Sequence, residues 1–302
     1  MNVLVTGSNG FVGSWIVKEL KKNHTIIGIG TKEESTSDVD WYFRWNIGHE
    51  DIPASLLSLK IDAVVHAASN LSLKDDDLEL SFANLVGTHR VINLCRVQKC
   101  KVAILFSSIP IIGNPGNVRI IETNFVNPPT MYHATKAAQE FMFQQLEKDG
   151  IRVATLRIPS PVAPIMKGRT IFTIFTERAI NDENIVINGR GTRRQNYIDV
   201  RDIAQAVERI FGSANAKGVY NIGSEVTVSN LELAKKCIEI AGSKSKIVYS
   251  GKSDPSDNQV WDIEMNRLKE DTGFKQEYKI EQTIYEYIDI YRKNHHQAVK
   301  SM

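Results

Sequence analysis

Tyr132 and Lys136 stand four residues apart, a spacing that puts both side chains on one face of a helix. A phenol gives up its proton reluctantly at neutral pH, because its reference pKa is about 10. An ammonium beside it favours the phenolate and brings that proton into working range. Proton removal or donation during a reaction is the chemistry this pair suits. Ser107 and Ser108 close an apolar run that begins at Val102. A hydroxyl there could hold a reacting oxygen, or could simply end a strand by satisfying backbone groups.

A second constellation supplies a partner for these groups. Val3-Leu4-Val5 is a short apolar run that ends in Thr6-Gly7-Ser8-Asn9-Gly10, and residues 11–22 then show helical spacing of apolar side chains. The glycines Gly7, Gly10 and Gly13 therefore lie in a strand-turn-helix context. The first permits a tight turn, the second lets a pyrophosphate approach the backbone, and the third lets the helix pack closely on the strand. The helix N-terminus adds its amide dipoles. A dinucleotide is the ligand this turn fits, and a positively charged nicotinamide ring near Tyr132 would favour its phenolate further.

Alternating elements must carry these groups. Residues 25–29, 61–66 and 102–106 read as further strands, with a short helix at 53–59 and long helices at 78–97 and 130–148. That alternation predicts an α/β fold with a doubly wound parallel sheet, whose ligands bind at the strand C-terminal ends. Ser107 and Ser108 then lie at that end of the sheet. After Arg157 the chain turns proline-rich, with Pro159, Pro161 and Pro164. We therefore expect a dinucleotide-binding domain over 1–158 and a smaller, mainly substrate-binding lobe over 159–302, with segments near 195–225 returning to the first domain. Residues 219–222 read as a strand. Residues 229–241 read as a helix opened by Ser229 with Glu232 three residues on, a capping box. The polar residues 293–302 are expected to fray.

Composition narrows the classes. Of the 302 residues 42% are hydrophobic and 24% charged, which is ordinary globular usage. The formal net charge of +2, with basic residues dispersed, gives no electrostatic footprint for nucleic acid. Cys95, Cys100 and Cys237 form no CxxC pair and no metal-ligand spacing, so no metal site is expected and reduced, buried thiols in the cytoplasm are. The first strand starts too early for a secretory leader, and no apolar run is long enough to cross a bilayer.

The order and spacing of these motifs resemble the extended short-chain dehydrogenase/reductases, in particular the nucleotide-sugar epimerases, dehydratases and reductases. The resemblance spans nearly the whole chain. Val5-Thr6-Gly7-Ser8-Asn9-Gly10-Phe11-Val12-Gly13-Ser14 is similar to the opening fingerprint, and His66-Ala67-Ala68-Ser69 to the segment lining the cofactor after the fourth strand. Asn84-Leu85-Val86-Gly87-Thr88 is similar to a further landmark helix, and Phe106-Ser107-Ser108-Ile109-Pro110-Ile111-Ile112-Gly113 to the catalytic-serine strand end, which selects Ser108. Pro129-Thr130-Met131-Tyr132-His133-Ala134-Thr135-Lys136 resembles the tyrosine helix, while Asn196-Tyr197-Ile198-Asp199-Val200-Arg201-Asp202 and Val219-Tyr220-Asn221-Ile222-Gly223 resemble two landmarks farther on. By this resemblance Tyr132 is the acid/base, Lys136 binds the nicotinamide ribose and lowers the tyrosine pKa, and Ser108 orients the reacting oxygen. It also implies cofactor contacts at Gly7, Asn9, Gly10, Phe11, Val12, Gly13, Ala67, Ala68, Ser69 and Asn84, and a homodimer formed through the two long helices.

The same comparison points to a particular reaction. A sugar dehydratase needs an added acid/base pair after the catalytic serine, usually Asp-Glu in the family, and this chain has Ile109-Pro110. A 4-epimerase acting on a UDP-sugar through transient C4 oxidation by NAD is therefore expected. A reductase of a 4-keto sugar and a noncatalytic, NAD(P)-sensing protein stand as alternatives. The strand at 25–29 is followed by Gly30-Thr31-Lys32, and no acid appears before Glu33. Lys32 could meet the 2′-phosphate of NADP or be a solvated loop lysine, so the residues leave NAD and NADP both open. On the substrate side, Gln195 stands where the family often has an arginine, and Ser160 where it often has an asparagine. Arg193 or Arg194 could bind a diphosphate instead, since the guanidinium fork bonds two oxygens at once, or both could be solvated turn residues.

Overall fold

The computed structural model describes residues 1–72 and 77–300, with side chains described through Asn294. Six strands of the N-terminal half come first: β1 (Asn2–Thr6), β2 (Thr25–Gly30), β3 (Trp41–Arg44), β4 (Ala63–His66), β5 (Val102–Ser108) and β6 (Arg152–Ile158). Six short ones follow: β7 (Ser160–Val162), β8 (Ile185–Ile187), β9 (Arg194–Asp199), β10 (Gly218–Asn221), β11 (Thr227–Ser229) and β12 (Ile247–Tyr249). The helices are α1 (Phe11–Leu20), α2 (Ala54–Leu57), α3 (Leu78–Ser81), α4 (Gly87–Gln98), α5 (Met131–Gln144), α6 (Ile171–Ile180), α7 (Val200–Gly212), α8 (Asn230–Ala241), α9 (Asn266–Thr272) and α10 (Ile280–Lys300).

Seven strands form one sheet in the order β3-β2-β1-β4-β5-β6-β10, and every pairing in it is parallel. The expected doubly wound sheet is thus present. Its central strands read as continuous apolar runs because both faces are covered. Val3 and Val5 join the core beneath α1 and α7, whereas Leu4, pointing the other way, joins the core beneath α4 and α5. Successive connections run outward in opposite directions from β1 and β4, so the crevice opens between their C-terminal ends. The glycine turn leaves β1 there, and Ala67-Ala68-Ser69 leaves β4 beside it.

A third core fills the smaller lobe, where Phe172, Phe175, Tyr197, Val228, Leu233 and Ile284 meet. Strands β11, β9 and β7 make one small sheet and β12 with β8 another. Strand β9 pairs in the first of these small sheets, while α7 packs on α1 and β10 joins the large sheet.

The expected helix at 78–97 is interrupted by a π-helical turn, Phe82–Val86. The carbonyl of Asn84 accepts hydrogen bonds from both Thr88 Oγ1 and Gln139 Nε2, which engages that carbonyl with side chains and accounts for the local widening. Thr130 caps α5 by accepting from the His133 amide, and Ser229 and Glu232 form the expected capping box on α8. Strands β3 and β6 had no separate signal: β3 is a four-residue edge strand, and β6 begins and ends near arginines. The tail expected to fray instead continues as helix to Lys300, and Ser301 and Met302 lie outside the described residues.

Gly13 shows how tightly the crevice is built, because a Cβ there would lie 2.1 Å from the Gly7 carbonyl oxygen. The obstructing oxygen is backbone and the Cβ is fixed to the helix backbone, so neither can swing aside. Gly13→Ala is expected to cost about 1–3 kcal/mol of unfolding free energy in urea titrations; a variant as stable as the parent would show that α1 does not press on the turn.

Candidate active site

The glycine turn is preformed. Gly7 has φ +69°, and a side chain there would meet the backbone of Ala68 at 2.9 Å, so only glycine lets the β1 turn lie against the segment leaving β4. Gly10 donates to the Gly7 carbonyl at 2.8 Å and stands at the N-cap of α1. No side chain caps that helix and no acidic residue lies in its first turn. The amides of Phe11, Val12 and Gly13 are thus left for an anion. A backbone cradle of this kind fits the pyrophosphate of a dinucleotide.

Beside the cradle a cleft of about 470 Å³ is lined by Gly7, Asn9, Gly10, Gly30, Lys32, Ala68 and Ser69, together with Trp45, Asn46 and Ile47. A groove of about 800 Å³ on the other side is lined by Asn9, Gly10, Phe11, Lys32 and Met166, among others. Asn9 does not reach freely into either space. Its carbonyl accepts from Ser35 Oγ and the Thr36 amide, and its amide donates to the Glu34 carbonyl and Tyr42 Oη. Ser37 Oγ also donates to the Ser8 carbonyl. The loop after β2 is therefore fastened over the glycine turn. Glu33, the first acid in that loop, faces Arg44 at 3.0 Å, while Lys32 stays on the wall of both spaces.

On the opposite wall, α5 is docked through buried polar groups. Lys136 is almost fully buried, and its Nζ donates to the Phe106 carbonyl at 2.9 Å. Burial lowers its pKa to about 8, with Glu140 opposing that shift. It remains mostly protonated at neutral pH. Tyr132 is pushed up to about 12 by burial, and Ser69 is the hydrogen-bonding side chain that pulls it back. Lys136 is anchored on strand β5 in this structure. Ser108 ends that strand two residues after Phe106 and is 8% exposed, whereas Ser107 Oγ points inward without a hydrogen-bond partner among the described residues.

Asn84, expected as a cofactor contact, is fully buried. Its side-chain oxygen accepts from Ser69 Oγ and the Asn70 amide, and its amide donates to the Asn70 carbonyl and Thr135 Oγ1. It fastens Ser69 to α5 rather than facing the cleft. His66 lies between Thr6 and Thr88 at 2.7 Å and 3.0 Å and stacks on Phe143. Burial, then the Lys136 charge, lowers its pKa to about 3. Nothing in the spacing of the sequence could have signalled this buried chain of hydroxyls and amides. Trp45 and Asn46 were missed with the strand that delivers them.

The lobe separates the expected substrate residues. Ser160 Oγ donates to Gln195 Oε1 at 3.4 Å, and Gln195 Nε2 to Asn230 Oδ1 at 3.3 Å. Arg194 is a structural fastener, bonded to Thr227 and Glu232. Arg193 makes no side-chain hydrogen bond or ion pair among the described residues, and its Nε is buried without a partner.

With the geometry established, comparisons add the kinship. Residues 3–223 match the profile of the "NAD dependent epimerase/dehydratase family". The chain is 28% identical over 251 residues to a UDP-glucose 4-epimerase of Mycolicibacterium smegmatis, covering 77% of this chain and 80% of that one. It is 26% identical over 272 residues to a dTDP-D-glucose 4,6-dehydratase of Dictyostelium discoideum, spanning 79% of this chain but only 62% of that protein. In fold it is similar to the UDP-glucose 4-epimerase of Thermus thermophilus solved with NAD, with TM-score 0.82, 23% identity, and coverage of 97% and 99% of the two chains.

The neutral, buried His66 gives the site a pH signature. Between its unfolded value of about 6.5 and its folded value of about 3, the unfolded chain binds a proton that the folded chain does not. Stability is therefore expected to fall as pH drops below about 6.5, and His66→Gln to flatten part of that slope in urea titrations. Equal slopes for parent and variant would mean that His66 does not resist protonation.

Proposed function

The chain belongs to the NAD dependent epimerase/dehydratase family, enzymes of the extended short-chain dehydrogenase type, and from that premise we propose that it is a 4-epimerase of a nucleotide-linked sugar, a UDP-sugar in the first instance. The glycine cradle and the uncapped N-terminus of α1 would hold the pyrophosphate of NAD, the family's cofactor, which would supply reversible hydride acceptance at C4. Ser108 holds the C4 oxygen, and Tyr132 removes that oxygen's proton and later restores it. Lys136 fixes the nicotinamide ribose, and its charge helps bring the phenol into range once the site is assembled.

The observation that carries this reading is the turn directly after Ser108. It is a 3-10 helix, Ile109–Ile112, with Ile109 and Ile111 fully buried. No carboxylate stands there to remove water from neighbouring sugar carbons, as a dehydration would require. Chemistry confined to C4 needs only the groups described.

We further propose a cytoplasmic homodimer. Its support is the set of apolar side chains left on the outer side of the paired helices, with Leu78 74%, Phe82 42% and Phe141 68% exposed, and three cysteines that are free and buried. Sedimentation at micromolar concentration should give a dimer mass; a monomer alone would remove this assignment.

Incubation with UDP-glucose or its N-acetylamino and uronate relatives, followed by NMR, should show inversion at C4 without net cofactor consumption. Tyr132→Phe is expected to reduce that rate by about a hundredfold or more while NAD binding is retained. Turnover only with a preformed 4-keto sugar and a reduced cofactor would make the chain a reductase instead.

A further inference from the structure

Between Tyr132 and Lys136 the chain carries His133, a residue with no part in the reaction proposed above. Side chains one position apart on a helix do not ordinarily face each other. Here they do: the rings of Tyr132 and His133 meet edge to face, with centroids 5.0 Å apart and planes at 72°. The contact has an identifiable cause. Thr130, the N-cap of α5, accepts from the His133 amide at 3.4 Å, and its Oγ1 also lies 2.8 Å from His133 Nδ1. The imidazole is thereby drawn back toward the start of the helix and onto the ring of Tyr132.

Three groups then fix Tyr132. Its carbonyl accepts from Thr135 Oγ1 at 2.8 Å, Ser69 is the hydrogen-bonding side chain at its phenol, and His133 backs its ring. The first two act on the backbone and on the oxygen, which leaves His133 to act on the ring between them. Burial lowers the His133 pKa, and the positive end of the helix macrodipole opposes a cation in the first turn. The imidazole is therefore neutral at neutral pH and acts on Tyr132 by contact rather than by charge. An edge-to-face pair is a directional contact, and a reacting group misplaced by about 1 Å can lose about a hundredfold in rate.

We infer that His133 is a positioning residue of this site: anchored by Thr130, its imidazole sets the direction of the Tyr132 phenol and so the reach of the hydroxyl toward the C4 oxygen. The inference rests on the C4 reading of the site and deepens it, because it places the aim of the acid/base in a Thr130–His133–Tyr132 clamp within the first turn of α5. No proton passes through His133 in this account.

Steady-state kinetics of the NAD-loaded enzyme and NMR of ring-labelled tyrosine test it together. His133→Ala should lower kcat about tenfold and leave KM within about twofold, since the aim matters to the transition state and not to substrate binding. Thr130→Val removes the hydroxyl and should lower kcat in the same direction. The double variant should be no slower than His133→Ala alone, because the two residues act as one unit. Thr130→Ser, which restores a hydroxyl, should recover most of the loss. In the NMR arm the Tyr132 ring signal, assigned by its disappearance in Tyr132→Phe, should shift in His133→Ala and in Thr130→Val while the other tyrosines stay in place. That arm needs no turnover. A parent chain that inverts no UDP-sugar removes the epimerase reading, and the Tyr132 signal then decides the clamp by itself: a shift supports it, and a signal unmoved by His133→Ala overturns it. With an active parent, an unchanged kcat in His133→Ala, or losses from His133→Ala and Thr130→Val that simply multiply, overturns this inference and leaves the epimerase reading standing.

Discussion

A buried ammonium holds the site together. Lys136 is taken out of water at the centre of the molecule, and its Nζ has one hydrogen-bond partner, the Phe106 carbonyl of β5. Burying a charge is expensive, so the interaction constrains everything around it. It fixes the rotation of α5 about its axis, and with it the direction of Tyr132 one helical turn earlier. The Lys136 charge adds to burial, the larger cause, in keeping His66 neutral. The same hydrogen bond also joins the helix that carries Tyr132 to the strand that ends in Ser108.

Around that anchor the polar interior is continuous. Thr6, His66, Thr88, Asn84 and Gln139 link β1, β4, the π-helical turn and α5 by side-chain hydrogen bonds. A network of this kind is stabilising only when its members find partners. It explains why Ser69 is presented to Tyr132: Asn84 grips both Ser69 and Thr135, the residue whose hydroxyl donates to the Tyr132 carbonyl. The widened helical turn is the local deformation that accompanies this grip.

Much of the large sheet was legible because its signals are periodic and local. Val3-Leu4-Val5 before the glycines, the helical spacing after them, and the caps at Thr130 and Ser229 each depend on neighbouring residues. The fastening roles of Asn9 and Asn84 were not legible, since they depend on partners many positions away. Arg193 and Arg194 are adjacent and chemically identical in the sequence, yet Arg194 is bonded to Thr227 and Glu232 while Arg193 Nε is buried without a partner among the described residues. The interrupted helix escaped notice in part for the same reason, because Gln139 reaches the Asn84 carbonyl from α5.

Two sides of the crevice differ in how firmly they are fixed. The side at the glycine turn is backbone, and a side chain at Gly7 or Gly13 would meet backbone atoms. The side at β7 and β9 is set by single side chains, with Ser160 Oγ donating to Gln195 Oε1.

The central claim is that a phenol raised to about 12 by burial becomes a usable acid/base when a cationic ring is placed beside it. Tyrosinate difference absorbance as a function of pH, measured with and without NAD and referred to Tyr132→Phe, reads that directly. The account predicts that NAD moves the Tyr132 component to distinctly lower pH. A component that titrates at the same high pH in both cases would contradict it.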